Sequence, residues 1–166
     1  MLIKKYEKMV KFLVSRIILD EDDLKDVCQE VFIKVYLNLH KFNFESKLST
    51  WIATITYRLS LNYLKKKKLI SFSDISDEVI LEYSEPMDTP LQNLQLSEKQ
   101  SYIHKMVNDL PVQYRTVVTL YHLNDFSYQE IAEITGMPDG TVKSYLFRAR
   151  KILKDMLKRH HIFTLI

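Results

Sequence analysis

Apolar positions recur at helical spacing in three stretches of this chain. Beyond Pro138, taking about 100° per residue, Val142, Leu146, Ala149 and Leu153 fall on one stripe, which Met156 and Leu157 extend. The opposite stripe carries Lys143, Ser144, Phe147, Lys151, Lys154 and Lys158, with Arg148 at its edge. From about Glu21 to Leu39, a second core stripe is formed by Leu24, Val27, Cys28, Val31 and Val35, and the far side holds Asp26, Gln29, Glu30, Ile33 and Leu37. A third helix is predicted from near Ser46 to the lysine run Lys65–Lys68. Trp51, Ile52, Ile55 and Leu59 pack it, and Thr54, Arg58, Lys65 and Lys68 lie on its other side and end.

The punctuation between these stretches is sparse and therefore informative. The only two glycines are Gly136 and Gly140, with Pro138 between them, so a tight turn is predicted over residues 136–140. Upstream, Ser127-Tyr128-Gln129-Glu130 has the spacing of a capping box, opening a short helix over Ile131 to Thr135 that Gly136 can end in a left-handed conformation. Downstream, Pro138 suits the first turn of the longer basic helix. A short capped helix, a tight turn and a longer helix make a helix-turn-helix.

Composition and charge set the frame. At 166 residues the chain allows one domain or two small ones. Near-absence of glycine and proline favours helix almost throughout, so the predicted fold is all-α. Net charge is only +3, but its distribution is segregated. From Ser71 to Glu98 there are seven acids and no Lys or Arg, whereas Thr141 to His160 holds seven Lys or Arg and one acid, Asp155. The acidic stretch contains Pro86, Pro90 and several serines and has no sustained helical period. It reads as a linker over residues 70–95, joining an N-terminal helical domain (1–69) to a C-terminal helix-turn-helix domain (96–166), because an ordered loop of that length within one domain is uncommon. The lone Cys28 permits no internal disulfide and no zinc cluster. No stretch is long and apolar enough to span a bilayer, and the expected location is the cytoplasm. Neither a Ser/His/Asp set, nor a metal-ligand cluster, nor a phosphate loop suggests an enzyme, and no metal or other cofactor is expected.

Each face admits two readings. A run of cations on a helix is by itself most often a solvated face. Phe147, an aromatic in the middle of that polar stripe, gains nothing unless something covers it, and DNA could do so through a thymine methyl. The mixed face of the second helix is either a scatter of ordinary surface apolars or a protein-binding surface with an apolar centre and polar rim. In the loop Lys41-Phe42-Asn43-Phe44-Glu45-Ser46-Lys47, aromatics near cations can track a single strand or anchor the loop to the core. Phe42 fits core anchoring, and Phe44 stays open.

The residues also resemble a family. Asp26-Val27-Cys28-Gln29-Glu30-Val31-Phe32, then Phe42 through Ser46 to Thr50-Trp51-Ile52, then Asn62-Tyr63-Leu64 and a basic run are similar to the first conserved domain of bacterial RNA polymerase sigma factors. Leu110-Pro111-Val112-Gln113-Tyr114-Arg115, Tyr128-Gln129-Glu130-Ile131-Ala132-Glu133 and Gly140-Thr141-Val142-Lys143-Ser144 through Arg148-Ala149-Arg150 are similar to the second. The match is to the small two-domain extracytoplasmic-function group, in the right order over nearly the whole chain.

The resemblance implies that Asp26, Gln29, Glu30, Ile33 and Leu37 face the clamp helices of the polymerase largest subunit. It implies that Asn43, Phe44, Ser46, Lys47, Trp51, Arg58, Asn62 and Lys65 serve minus-ten recognition and strand opening, with the Asn43–Ser49 loop holding a flipped base. It places Lys143, Ser144, Phe147, Arg148 and Lys151 in the major groove of the minus-thirty-five element. It implies control by an anti-sigma factor, and an acidic linker that follows the polymerase RNA exit path. The chain departs from the family with Phe44 in place of the usual glycine, Thr54 and Arg58 in place of arginine and asparagine, and Tyr145 in place of a frequent arginine. The competing reading is a stand-alone regulator whose second domain binds DNA without the polymerase.

Overall fold

The computed structural model describes residues 2–68 and 98–159. The predicted linker over 70–95 and the apolar tail Ile162–Ile166 lie outside the described residues.

The first body is three helices. α1 (Leu2–Ser15) leads into a short turn, α2 (Glu21–Asn38) follows, and α3 (Leu48–Lys68) packs on both. Asp20 caps α2, its side chain accepting from the N–H groups of Asp22 and Asp23, and acids fill the first turn where the helix dipole favours them. Val27, Val31 and Val35 are buried as the periodicity predicts, against Val10, Leu13 and Val14 of α1 and Ile52 and Ala53 of α3. One polar bolt joins the ends of α2 and α3: Asp23 accepts from the Tyr63 hydroxyl at 2.6 Å and from Lys67. These two hydrogen bonds, that from Lys67 first, hold its carboxyl below the ordinary range. α3 starts at Leu48 rather than near Ser46, because the chain first makes a single 3-10 turn over Leu39–Lys41 and then the aromatic loop.

The second body is four helices: α4 (Glu98–Asn108), α5 (Val112–Leu123), α6 (Tyr128–Thr135) and α7 (Asp139–Arg159). Every residue from Tyr114 to Leu120 is buried, the signature of a helix covered on all sides. The α4–α5 corner is pinned by Arg115, whose buried guanidinium donates to the Asn108 carbonyl. Burial and the nearby charge of Arg16 pull this guanidinium down to about 10.

The helix-turn-helix follows the predicted chemistry with two adjustments. Ser127 accepts from the Glu130 N–H while Glu130 accepts from the Ser127 N–H, so the capping box is complete and α6 begins at Tyr128, three residues before Ile131. Gly136 ends it at φ 74°, its N–H bonded to the Ala132 carbonyl. Pro138 stands just outside α7, its carbonyl accepting from Thr141 and Val142, so Gly140 belongs to the helix rather than to the turn.

The two bodies are docked on one another. α6 lies along α3, α1 touches α5, and a single buried apolar cluster runs from Val10 and Ile52 to Leu120, Ile131 and Leu146.

Candidate nucleic-acid interface

α7 presents its faces as its sequence predicts. Val142, Leu146, Ala149 and Met156 are buried and Leu153 is half-buried, whereas Lys143, Phe147, Arg148, Lys151, Lys154 and Lys158 are exposed. Phe147 is 70% exposed, an uncovered aromatic amid cations. Ser144 is half-buried, and its hydroxyl donates back to the Thr141 carbonyl at 2.9 Å. Tyr145 turns toward the core and meets Tyr114 edge-on at 5.0 Å, so the departure from arginine at that position lies off the exposed face.

Beside this face runs a row that the sequence reading did not collect. The Lys143 ammonium sits 5.8 Å over the Tyr128 ring, Tyr128 stacks on Tyr121 at 5.0 Å and 7°, and the Arg150 guanidinium lies 5.5 Å over Tyr121. Each end is a cation on a ring face within the distance at which the attraction is felt. The row fixes the direction of Lys143 and Arg150, seven residues and about two turns apart. That spacing was the available signal; the tyrosines come from other helices and had none.

On the first body, Asp26, Gln29, Glu30, Ile33 and Leu37 are all exposed on α2. Tyr36, which the helical wheel did not assign to this face, is 80% exposed between Ile33 and Leu37. An aromatic and two large aliphatics rimmed by acids and an amide have the composition of an interface core.

The aromatic loop is built as a short stack. Trp51 contacts Phe42 at 5.5 Å, and Phe42 contacts Phe44 at 4.8 Å. Phe42 is half-buried, as its anchoring role requires, and Phe44 is 84% exposed. Phe44 also holds φ 63°. That left-handed conformation costs an L-residue with a Cβ on the order of 1 kcal/mol, so the chain keeps a backbone suited to glycine while carrying a ring there. Asn43 accepts from the Glu45 N–H at 3.4 Å and Ser46 is half-buried. Lys47 forms an ion pair with Glu130 at 3.0 Å. Along α3, Trp51, Arg58, Asn62 and Lys65 share one stripe at helical spacing; the last three are exposed and Trp51 is half-buried. Loop and stripe are therefore contiguous at Trp51, whereas the basic face of α7 belongs to the other body.

Among the described residues no cluster of His, Cys, Asp and Glu could hold a metal ion, and no helix is long and apolar enough to cross a membrane.

Two helical bodies, the second carrying a helix-turn-helix whose long helix exposes a cationic face, define a protein of the helix-turn-helix class. Residues 2–70 match the family described as Sigma-70 region 2, and residues 100–153 match Sigma-70, region 4. The chain is 31% identical over 164 residues to the ECF RNA polymerase sigma-E factor of Haemophilus influenzae, covering 95% of this chain and 86% of that protein. It is 34% identical over 165 residues to the sigma-E factor of Escherichia coli K12, covering 95% and 85%. It is 31% identical over 163 residues to the sigma factor SigW of Bacillus subtilis, covering 92% and 85%. The fold is that of the sigma factor RpoE of Bartonella quintana, solved with the anti-sigma factor NepR, with a TM-score of 0.70 at 24% identity over 94% of both chains. CnrH, solved with the cytosolic domain of CnrY, aligns with a TM-score of 0.65 at 17% identity, covering 95% of this chain and 86% of that one. The chain belongs to the extracytoplasmic-function sigma factors.

Proposed function

We propose that this chain binds core RNA polymerase in the cytoplasm through the α2 face, places α7 in the minus-thirty-five duplex, and opens the minus-ten element with the aromatic loop and the α3 stripe. The carrying observation is that each body sets exposed large apolar side chains within an otherwise polar helix face, Ile33, Tyr36 and Leu37 on α2 and Phe147 on α7. Exposed large apolars so placed mark surfaces awaiting a partner, and two such surfaces are what a bridging factor needs. The chain makes and breaks no bond in this role. Its bodies are 1–69 and 96–166, joined through 70–95.

In this assignment Asp26, Gln29, Glu30, Ile33 and Leu37 meet the largest-subunit clamp helices, and Lys143, Ser144, Phe147, Arg148 and Lys151 meet the duplex. Asn43, Phe44, Ser46, Lys47, Trp51, Arg58, Asn62 and Lys65 handle the opened strand. One structural relative is solved with the anti-sigma factor NepR and the other with the cytosolic domain of CnrY, which supports an anti-sigma factor as the partner that keeps this chain from polymerase.

The test is to mix the purified chain with sigma-free core polymerase and sequence transcripts started on host genomic DNA. Specific starts sharing two upstream motifs are expected. Retained DNA binding without core binding would replace this reading with the stand-alone regulator.

A further inference from the structure

The two cations of the aromatic row are held by different helices. The Lys143 ammonium lies 5.8 Å over the ring of Tyr128, the first residue of α6. The Arg150 guanidinium lies 5.5 Å over Tyr121 near the end of α5, and its terminal nitrogen donates to His122 Nε2 at 3.3 Å. Burial first, then the charge of Arg150, keeps the His122 imidazole below its ordinary 6.5, so the neutral ring is the acceptor at neutral pH. Tyr121 in turn stacks on Tyr128 at 5.0 Å and meets His122 edge-on at 4.8 Å. Every contact along the row is therefore with a neutral group. Among the described residues neither cation pairs with a carboxylate, and both are exposed. Their charge is aimed but not neutralised.

Lys143, Phe147 and Arg150 stand at i, i+4 and i+7, one stripe of α7. The cations flank the Phe147 ring roughly 10 Å apart, at ~1.5 Å of rise per residue. Both lean off that stripe to the same side, toward α6 and α5. In helix-turn-helix docking the second helix lies in the groove while the first crosses the sugar-phosphate backbone. A cation held over the start of α6 is thus held beside the backbone rather than over the base edges. A run of cations alone is most often a solvated face. Here two half-buried tyrosines from two other helices fix the direction of both cations, which restricts their freedom before any partner arrives.

We infer that Lys143 and Arg150 form a preset pair of phosphate contacts on one strand of the duplex, and that Tyr121 and Tyr128 are positioning residues that hold the pair. Arg150 thereby joins the residues that meet DNA. This rests on the duplex reading above and moves Lys143 within it, from the floor of the groove to its wall. Base reading is left to Ser144, Phe147 and Arg148. The division has a physical consequence. Phosphate contacts add affinity and salt dependence without sequence information, whereas contacts to base edges carry the specificity.

The test uses holoenzyme reconstituted from the full chain and core polymerase, on promoter fragments recovered by the transcription experiment, with affinity measured across a salt series. Lys143→Gln and Arg150→Gln should each lower the slope of log affinity against log salt by about one, and leave the preference for the cognate over a substituted minus-thirty-five element within about twofold. Tyr128→Leu removes a ring face and should weaken binding about two- to tenfold with the slope retained. Tyr128→Phe keeps the ring and should restore the affinity. In the Lys143→Gln background, Tyr128→Leu should cost little more. An equal loss in both backgrounds makes Tyr128 a structural residue only and overturns the row. An unchanged slope with an altered base preference in Lys143→Gln makes that lysine a base reader and overturns it as well. If circular dichroism shows Tyr128→Leu to be misfolded, the two glutamine variants, at exposed positions, decide alone. Holoenzyme that binds no fragment fails the duplex reading and this inference with it, whereas bound holoenzyme with unchanged slopes fails this inference alone.

Discussion

The two glycines of this chain should respond to alanine with opposite signs. Gly136 holds φ 74°, and a Cβ built there meets nothing within 4 Å. Gly136→Ala therefore introduces no clash, only the left-handed backbone penalty for an L-residue, about 1 kcal/mol or somewhat more. Gly140 is also open to a Cβ, with nothing within 4 Å, but it sits inside the first turn of α7 with no positive φ. Gly140→Ala removes backbone freedom from the unfolded chain and adds helix propensity, stabilising by about 0.5 kcal/mol at a helix end. Urea unfolding of the full chain, followed by helical circular dichroism, should separate the two variants by about 1.5 kcal/mol, a melting difference of roughly 3–6 °C at this size. Shifts of the same sign would refute the claim that only Gly136 is conformationally required. A gel shift adds the functional half: Gly140→Ala should bind minus-thirty-five duplex as the unsubstituted chain does, because its open side is not among the assigned contacts.

Phe147→Ala should weaken duplex binding about fivefold, a contact of about 1 kcal/mol, with unchanged helicity; unchanged affinity would remove Phe147 from the site. Replacing Gln29 and Glu30 with Lys should abolish assembly with core polymerase and spare duplex binding, measured by size-exclusion co-elution. Phe44→Ala keeps the strained backbone and loses the ring, whereas Phe44→Gly loses both, so the glycine variant should be about 1 kcal/mol the more stable of the two, while both lose promoter opening as followed by a fluorescent base in the minus-ten strand. The docked state should loosen as pH falls. Burial, then the charge of Arg16, holds His104 below its ordinary 6.5, so docking favours the neutral ring. That contribution is complete above pH 6.5 and is lost below it. Glu130 stays ionised through that window. Distances between spin labels at Lys5→Cys on α1 and Glu133→Cys on α6, in a Cys28→Ser background, should show opening from pH 7.5 to 5.5 that His104→Gln suppresses.

The sequence was enough where the deciding interactions are local. Ser127, Glu130 and Gly136 specify a cap, a helix and its end within ten residues, and the structure carries all three. The periodicity of Val27, Val31 and Val35, and of Val142, Leu146 and Ala149, assigned buried and exposed faces correctly because a helix fixes side-chain direction from spacing alone. Phe147 and the polar rim around Ile33 were legible for the same reason. Tertiary structure decided what depends on groups far apart in the chain. The Lys143–Tyr128–Tyr121–Arg150 row draws on three helices, and no spacing rule joins them. The left-handed φ of Phe44 lies in the loop between the Leu39–Lys41 turn and α3, beside the Phe42–Trp51 contact, and its own side chain gives no local signal for it. Above all, a capping glutamate gave no sign that its second oxygen would reach Thr50 and Lys47, 80 residues or more upstream. A capping box needs only four residues; that second contact needs two folded bodies to bring their surfaces within hydrogen-bond reach.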